Sequence, residues 1–157
     1  MENKKSRTYY KLLAGFAAAG ALFLGGCSGS RGFVSYADIN KEYQESVAKL
    51  NWPAGYTPPE NLAEDEDGTI YQRGIGDTAA SSEYECAWYK EWLKTYATDE
   101  QAANNALTHL DKVLDMGYLS KERADDNTRQ AVRNNLEKAR LGDPSGIQTS
   151  VTANCGG

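Results

Sequence analysis

The chain has 157 residues, a quarter of them charged, with 17 Lys and Arg against 22 Asp and Glu for a net charge of −5. Its basic residues form no cluster beyond the first eleven positions. That balance argues against nucleic acid as a partner, and the length leaves room for one domain with a modest core.

The opening residues carry a targeting pattern. "MENKKSRTYYK" sets Lys4, Lys5, Arg7 and Lys11 against Glu2, and Leu12 to Leu24 form an uncharged run of 13 residues. A helix needs about 20 residues to cross the hydrocarbon core of a bilayer, so the run is too short to span one. A basic start, a short apolar middle and two small residues at the end read as a secretory signal peptide over 1–26. A buried amphipathic helix is a poor reading because the run has no polar face. A signal-anchor helix is another, because Gly25, Gly26, Ser28, Gly29, Ser30 and Gly32 cut the run off.

Leu24-Gly25-Gly26-Cys27 resembles the lipobox of bacterial lipoproteins, a large apolar residue and two small ones before a cysteine. The resemblance implies a thioether from Cys27 to diacylglycerol and cleavage just before that cysteine. The competing reading is an ordinary signal peptide with an incidental cysteine. Buried methylenes contribute about 0.8 kcal/mol each, so two or more chains anchor stably where one does not. Residues 27–34 then form the lipidated cysteine and a flexible Gly/Ser tether, "SGSRG". Residues 35–157 form one extracytoplasmic domain. The expected address is the outer face of the cytoplasmic membrane, or the outer membrane where the source has one, and the membrane is a partner through the lipid on Cys27.

Without residues 1–26 the chain keeps 131 residues, 13 basic and 21 acidic, a net of −8. Charge would then repel anionic headgroups, leaving attachment to the lipid. Beyond the lipidated Cys27 two cysteines remain, Cys86 and Cys155, and an even pair in an exported chain is most simply a disulfide. In the chain-entropy account a loop of this size stabilises by roughly 4 kcal/mol as an upper figure. A metal site is the rival, but two cysteines without CxxC spacing and a single distant histidine do not support it.

Periodicity predicts a helix over 35–50, with Tyr36, Ile39, Tyr43, Val47 and Leu50 on one face and Ser35 as N-cap. "WPAGYTPPENLAEDEDG" (52–68) holds three of the four prolines and reads as an extended arm. "TIYQR" (69–73) is β-like but has no obvious partner, and "GIGDTAAS" after it reads as a loop. Ser82-x-x-Glu85 has the form of a capping box and starts a helix running to Tyr96. Thr98-x-x-Gln101 starts a third, ending at Met116 with Gly117 as a left-handed C-cap. Its stripe is Ala103, Ala106, Leu107, Leu110, Val113 and Leu114. A fourth spans 120–141, with Ala124, Thr128, Ala131, Val132, Leu136 and Ala139 inward and Gly142-Asp143-Pro144 as its stop. Short connections favour an antiparallel pair of the third and fourth helices. The expected fold is mainly α, a small bundle of about four helices with an extended Pro-rich arm, stapled by one disulfide.

The 82–96 helix carries two rows, Tyr84, Trp88, Trp92 and Tyr96 beside Cys86, Tyr89 and Leu93. Together they cover about 200° of its circumference, which makes it the central spine. The alternative is that Trp88 and Trp92 face a groove as a binding surface for a sugar or peptide.

No catalytic constellation stands out. His109 is the lone histidine, set between Leu107 and Leu110 in "ALTHLDKVLD", where an exposed or packed imidazole is expected. No G-x-S-x-G, H-E-x-x-H, P-loop or S-x-x-K pattern occurs. Glu64–Asp67 invites a cation, but "EDEDG" fails the EF-hand pattern, because Gly68 falls too early and no glutamate closes the loop. A solvated turn is the simpler reading. No catalytic residue, metal or cofactor is assigned.

The lipobox, "NWPAGYTPPEN", "CAWYKEWL" and the terminal "NCGG" together resemble small uncharacterised lipoproteins of actinobacteria. That resemblance implies export, lipidation and a Cys86–Cys155 bridge, and it brings no activity with it. A phage-encoded surface lipoprotein is the alternative context. Two functional readings follow: a non-enzymatic binding or interaction module for an envelope protein or cell-wall component, or a small hydrolase using Glu83 or Glu85. The second requires a carboxyl with a raised pKa in a cleft beside an exposed tryptophan.

Overall fold

The computed structural model describes residues 32–63 and 69–156. The segment expected to be a signal peptide, Cys27 with most of the expected tether, and the Glu64–Asp67 stretch lie outside them. Helix α1 (Tyr36–Val47) starts at Ser35 as its sequence predicts. The Ser35 hydroxyl accepts from the Asp38 N–H, and the Asp38 carboxylate accepts from the Ser35 N–H at 3.1 Å. Ile39 and Tyr43 face the core.

The arm folds back along α1, held by hydrogen bonds. Tyr36 Oη donates to the Leu62 carbonyl at 2.7 Å, Tyr43 Oη to the Pro59 carbonyl at 3.0 Å, and the Leu62 N–H to Asn40 Oδ1 at 2.9 Å. These bonds satisfy an extended backbone that has no ladder of its own. Strand β1 (Phe33–Val34) pairs antiparallel with β2 (Tyr71–Gln72), Phe33 opposite Gln72 and Val34 opposite Tyr71. The β-like segment therefore does have a partner, one only two residues long and too short to show a pattern.

Helix α2 (Ile75–Thr95) is the spine, packing on α1 and on α3 (Glu100–Asp111). It begins well before the expected capping box: Ser82 lies inside it and "GIGDTAAS" is mostly its first turns. The reason is tertiary. Glu42 of α1 accepts from the Gly74 and Gly76 N–H groups at 3.0 and 3.2 Å, supplying the cap that the local sequence lacks. Gly76 lets α1 approach, because a Cβ there would stand 2.2 Å from the Ile39 carbonyl oxygen.

In α3 the N-cap is Asp99, not Thr98, with the Ala102 N–H donating to its side chain. The predicted stripe is buried apart from the half-buried Leu114. The helix ends in 3-10 turns at Lys112–Asp115 and Gly117–Leu119. Gly117 is thus not a left-handed cap; among the described glycines only Gly55, Gly74 and Gly142 have positive φ. Helix α4 (Asp126–Arg140) starts six residues later than expected, capped by Asp125, so its connection to α3 is long rather than short. Leu136 and Ala139 are buried, but Thr128 and Ala131 are exposed, contrary to the expected inward face.

A fifth helix, α5 (Ser145–Asn154), occupies what reads as a plain tail. Thr149, Ser150, Val151 and Thr152 are indifferent helix formers, so tertiary contacts supply the order. Ile147 is fully buried, Asn135 Nδ2 donates to Ser150 Oγ at 3.0 Å, and Gly146 sits against Asn135. The Cys86–Cys155 disulfide then ties the end of α5 to the middle of α2, with Cα atoms 5.5 Å apart. The fold is mainly α with one disulfide, and among the described residues five helices stand where about four were expected.

Candidate functional site

The first candidate, the Trp88–Trp92 row, is core. Trp88 is 3% exposed and Trp92 1%, with Tyr84, Tyr89, Leu107, Leu110, Leu136 and Ile147 in the same cluster. Trp88 Nε1 donates to the Asn51 carbonyl at 3.0 Å, and Tyr84 meets Trp52 edge-on at 5.7 Å. The binding-surface alternative for these two side chains is therefore withdrawn: a ring with no exposed face cannot stack on a ligand. Tyr96, at the end of the row, stays partly exposed.

The lone histidine packs on the same cluster. Its ring lies parallel to Trp88 with centroids 3.9 Å apart, and Tyr84 Oη is 2.9 Å from His109 Nδ1. Burial, with Lys112 adding like charge, holds the imidazole below its usual pKa, which favours the neutral ring. No cysteine or serine partners its ring nitrogens among the bonds described, and no group of three metal-binding side chains occurs among the described residues.

Of the two glutamates on the spine, Glu83 accepts a hydrogen bond from Tyr56 Oη of the arm. Glu85 sits in a drier place, accepting from Tyr118 Oη at 2.8 Å and interacting with Tyr89. Burial lifts its carboxyl above the usual range, and the two tyrosine hydroxyls partly offset this. In return, burial and the Glu85 charge push both phenols well above the ordinary tyrosine value. A raised carboxyl is one mark of an acid catalyst. The tryptophans beside it are buried, however, and Glu85 is not among the residues that line the groove at the start of α2.

That groove, of about 650 Å³, lies where the N-terminus of α2 meets the segment leading into α4. Gln72, Arg73 and Ile75 line one side, and Tyr118, Glu122, Asp125 and Thr128 the other. Arg123 holds the two sides together, its Nη1 donating to Thr78 Oγ1 at 3.2 Å and to the Gly74 carbonyl at 3.4 Å, with Asp77 at 3.5 Å. Gly74, at φ +95°, leaves the space that the Arg123 guanidinium occupies. Asp77 in turn accepts from Ser46 Oγ of α1 at 3.1 Å. Asp125 is engaged as the cap of α4, so the groove presents both signs of charge beside an exposed isoleucine and a tyrosine edge. Its walls come from segments 40 or more residues apart, and no periodicity in the sequence links them. The residues lining the groove include no histidine, cysteine or serine.

No family model, no curated protein and no solved structure matches this chain.

Proposed function

We propose that this chain is a lipid-anchored cell-envelope protein whose folded part is a non-enzymatic binding module for an envelope protein or a cell-wall component. The Leu24–Cys27 pattern behind a basic and then apolar segment carries the reading. The Cys86–Cys155 pairing supports it, because structural disulfides belong to oxidising, extracytoplasmic compartments. The groove at the α2 N-terminus, lined by charges of both signs and by Tyr118, is the surface we assign to a partner. A carboxylate hydrolase has less support, since Glu85 is turned toward Tyr118 and Tyr89 and not into that groove.

Metabolic labelling with a palmitate analogue tests the anchor. The wild-type chain should take up label and partition with membranes, and Cys27→Ala should do neither. Equal labelling of the variant would overturn the anchor. For the binding module, a photo-crosslinking residue at exposed Thr128 in the groove should capture a defined envelope component on intact cells, and one at exposed Lys90 on α2 should not. Equal capture from both positions would overturn the groove as the binding surface.

A further inference from the structure

Phe33 and Ile70 are large apolar side chains that stay 73% and 65% exposed. The register of the two-stranded ribbon explains why they act together. Phe33 stands opposite Gln72, and Ile70 is the residue just before β2; continuing the strand's alternation by that one residue returns it to the side of Gln72 and Phe33. Val34 and Tyr71, on the other face, are half-buried. The ribbon thus covers the domain with one side and offers an aromatic and a branched aliphatic group to the surroundings with the other.

The position of Cys27 says what those surroundings are. Six residue steps separate Cys27 from Phe33, and a fully extended chain covers at most about 20 Å in that number. A domain of this size is roughly 35 Å across. A cysteine held at the headgroup level therefore keeps the Phe33 end of the domain next to the bilayer whatever path the tether takes. Resting on the lipid-anchor reading above, we propose that the Phe33–Ile70 face of the ribbon dips into the bilayer interface and orients the domain on the membrane. The contact is apolar, because the exported part carries a net of −8 and gains nothing from anionic headgroups. Two side chains do not anchor a protein by themselves. Once the lipid has brought them to the surface, burying one favours the docked orientation by about tenfold or more.

The test uses the full chain, made in a bacterium that processes lipoproteins and reconstituted into phosphatidylethanolamine–phosphatidylglycerol vesicles doped with a phospholipid carrying a diazirine in its acyl chain. Trypsin cuts after Arg31, so adducts on the lipidated cysteine peptide separate from those on the peptide that holds Phe33. After irradiation, mass spectrometry should place lipid adducts on the peptides containing Phe33 and Ile70. Their yield should not change between low and high salt, and it should fall about tenfold in Phe33→Ser/Ile70→Ser while diacylglycerol on Cys27 is unchanged. Adducts confined to the Cys27 peptide, or spread evenly to distant exposed groups such as Leu141, would overturn the inference and leave the anchor standing. No lipid adduct at either peptide, together with a dimer on sedimentation of the detergent-solubilised protein that Phe33→Ser/Ile70→Ser abolishes, would overturn it in favour of a dimer contact. A Cys27 without diacylglycerol would overturn the anchor and this inference together.

Discussion

The imidazole of His109 lies on the indole of Trp88, ring centroids 3.9 Å apart and planes 3° from parallel. Tyr84 reaches its Nδ1 at 2.9 Å, so three aromatic side chains from α2 and α3 close one side of the core. The one histidine in the chain acts here as a packing group with a polar edge, and its titration becomes a reporter of the core.

Burial first, and Lys112 second, lower the pKa of His109 below its usual 6.5. The unfolded chain then binds the proton more readily than the native one. The contribution of the neutral ring is full above about pH 6.5 and is lost as pH falls through the lowered native value. The single imidazole resonance should titrate below 6.5 by proton NMR in the folded protein, and His109→Phe should flatten the fall in melting temperature on mild acidification. A native midpoint above 6.5 would contradict the packing argument.

Glu85 has the opposite sign. Burial raises its carboxyl above 4.5, so the native protein holds that proton to higher pH than the unfolded chain. The associated stability is full below about pH 4.5 and is lost as pH rises through the raised value. Glu85→Gln keeps an oxygen for the Tyr118 hydroxyl and removes a buried charge. It should be at least as stable as wild type at pH 8 by urea denaturation, and a loss of more than about 1 kcal/mol would show that the charged form is the stabilising one.

Trp88 and Trp92 fill the centre of the cluster. Replacing either with alanine should cost about 3–5 kcal/mol in chemical denaturation, much of what holds a domain of this size together. Losses under about 1 kcal/mol at both positions would mean that the cluster does not hold the fold.

Gly76 marks the closest approach of α1 to α2. A Cβ there would meet backbone atoms, the Ile39 carbonyl oxygen at 2.2 Å and the Tyr43 nitrogen at 2.7 Å. Gly76→Ala should therefore cost about 2–3 kcal/mol, because a helix must shift and not merely a side chain. Gly156, with nothing within 4 Å, serves as the control and should tolerate alanine. Equal stability of the two variants would refute the close approach.

The disulfide closes a separation of 69 residues. Cys86→Ser should destabilise by up to about 4 kcal/mol in the chain-entropy account, with hydrogen exchange rising most over 145–154. Non-reducing mass spectrometry of the folded protein should show no free thiol at Cys86 or Cys155. Alkylation of both in the folded state would exclude the bridge.

Strong local signals in the sequence survived folding. The 3.6-residue stripe of α3, the Ser35 cap and the aromatic rows of the spine are legible because each depends on neighbours within one or two turns. The pairing of Cys86 with Cys155 is legible once Cys27 is set aside by its place in the Leu24–Cys27 pattern, which leaves one even pair. What the sequence hides depends on atoms brought from far along the chain. Helix α2 gains its early turns because Glu42 caps them and Gly76 lets α1 in, so two glycines that punctuate a loop locally open a helix in the folded protein. Helix α5 forms from indifferent residues because Ile147, Ser150 and Cys155 each find a partner on α2 or α4 or in the core between them. The groove and the Phe33–Ile70 face likewise arise from segments whose adjacency costs loop-closure entropy and leaves no periodic trace. Local spacing can encode which side chains share a helix face, whereas the meeting of two distant segments depends on how the whole core closes.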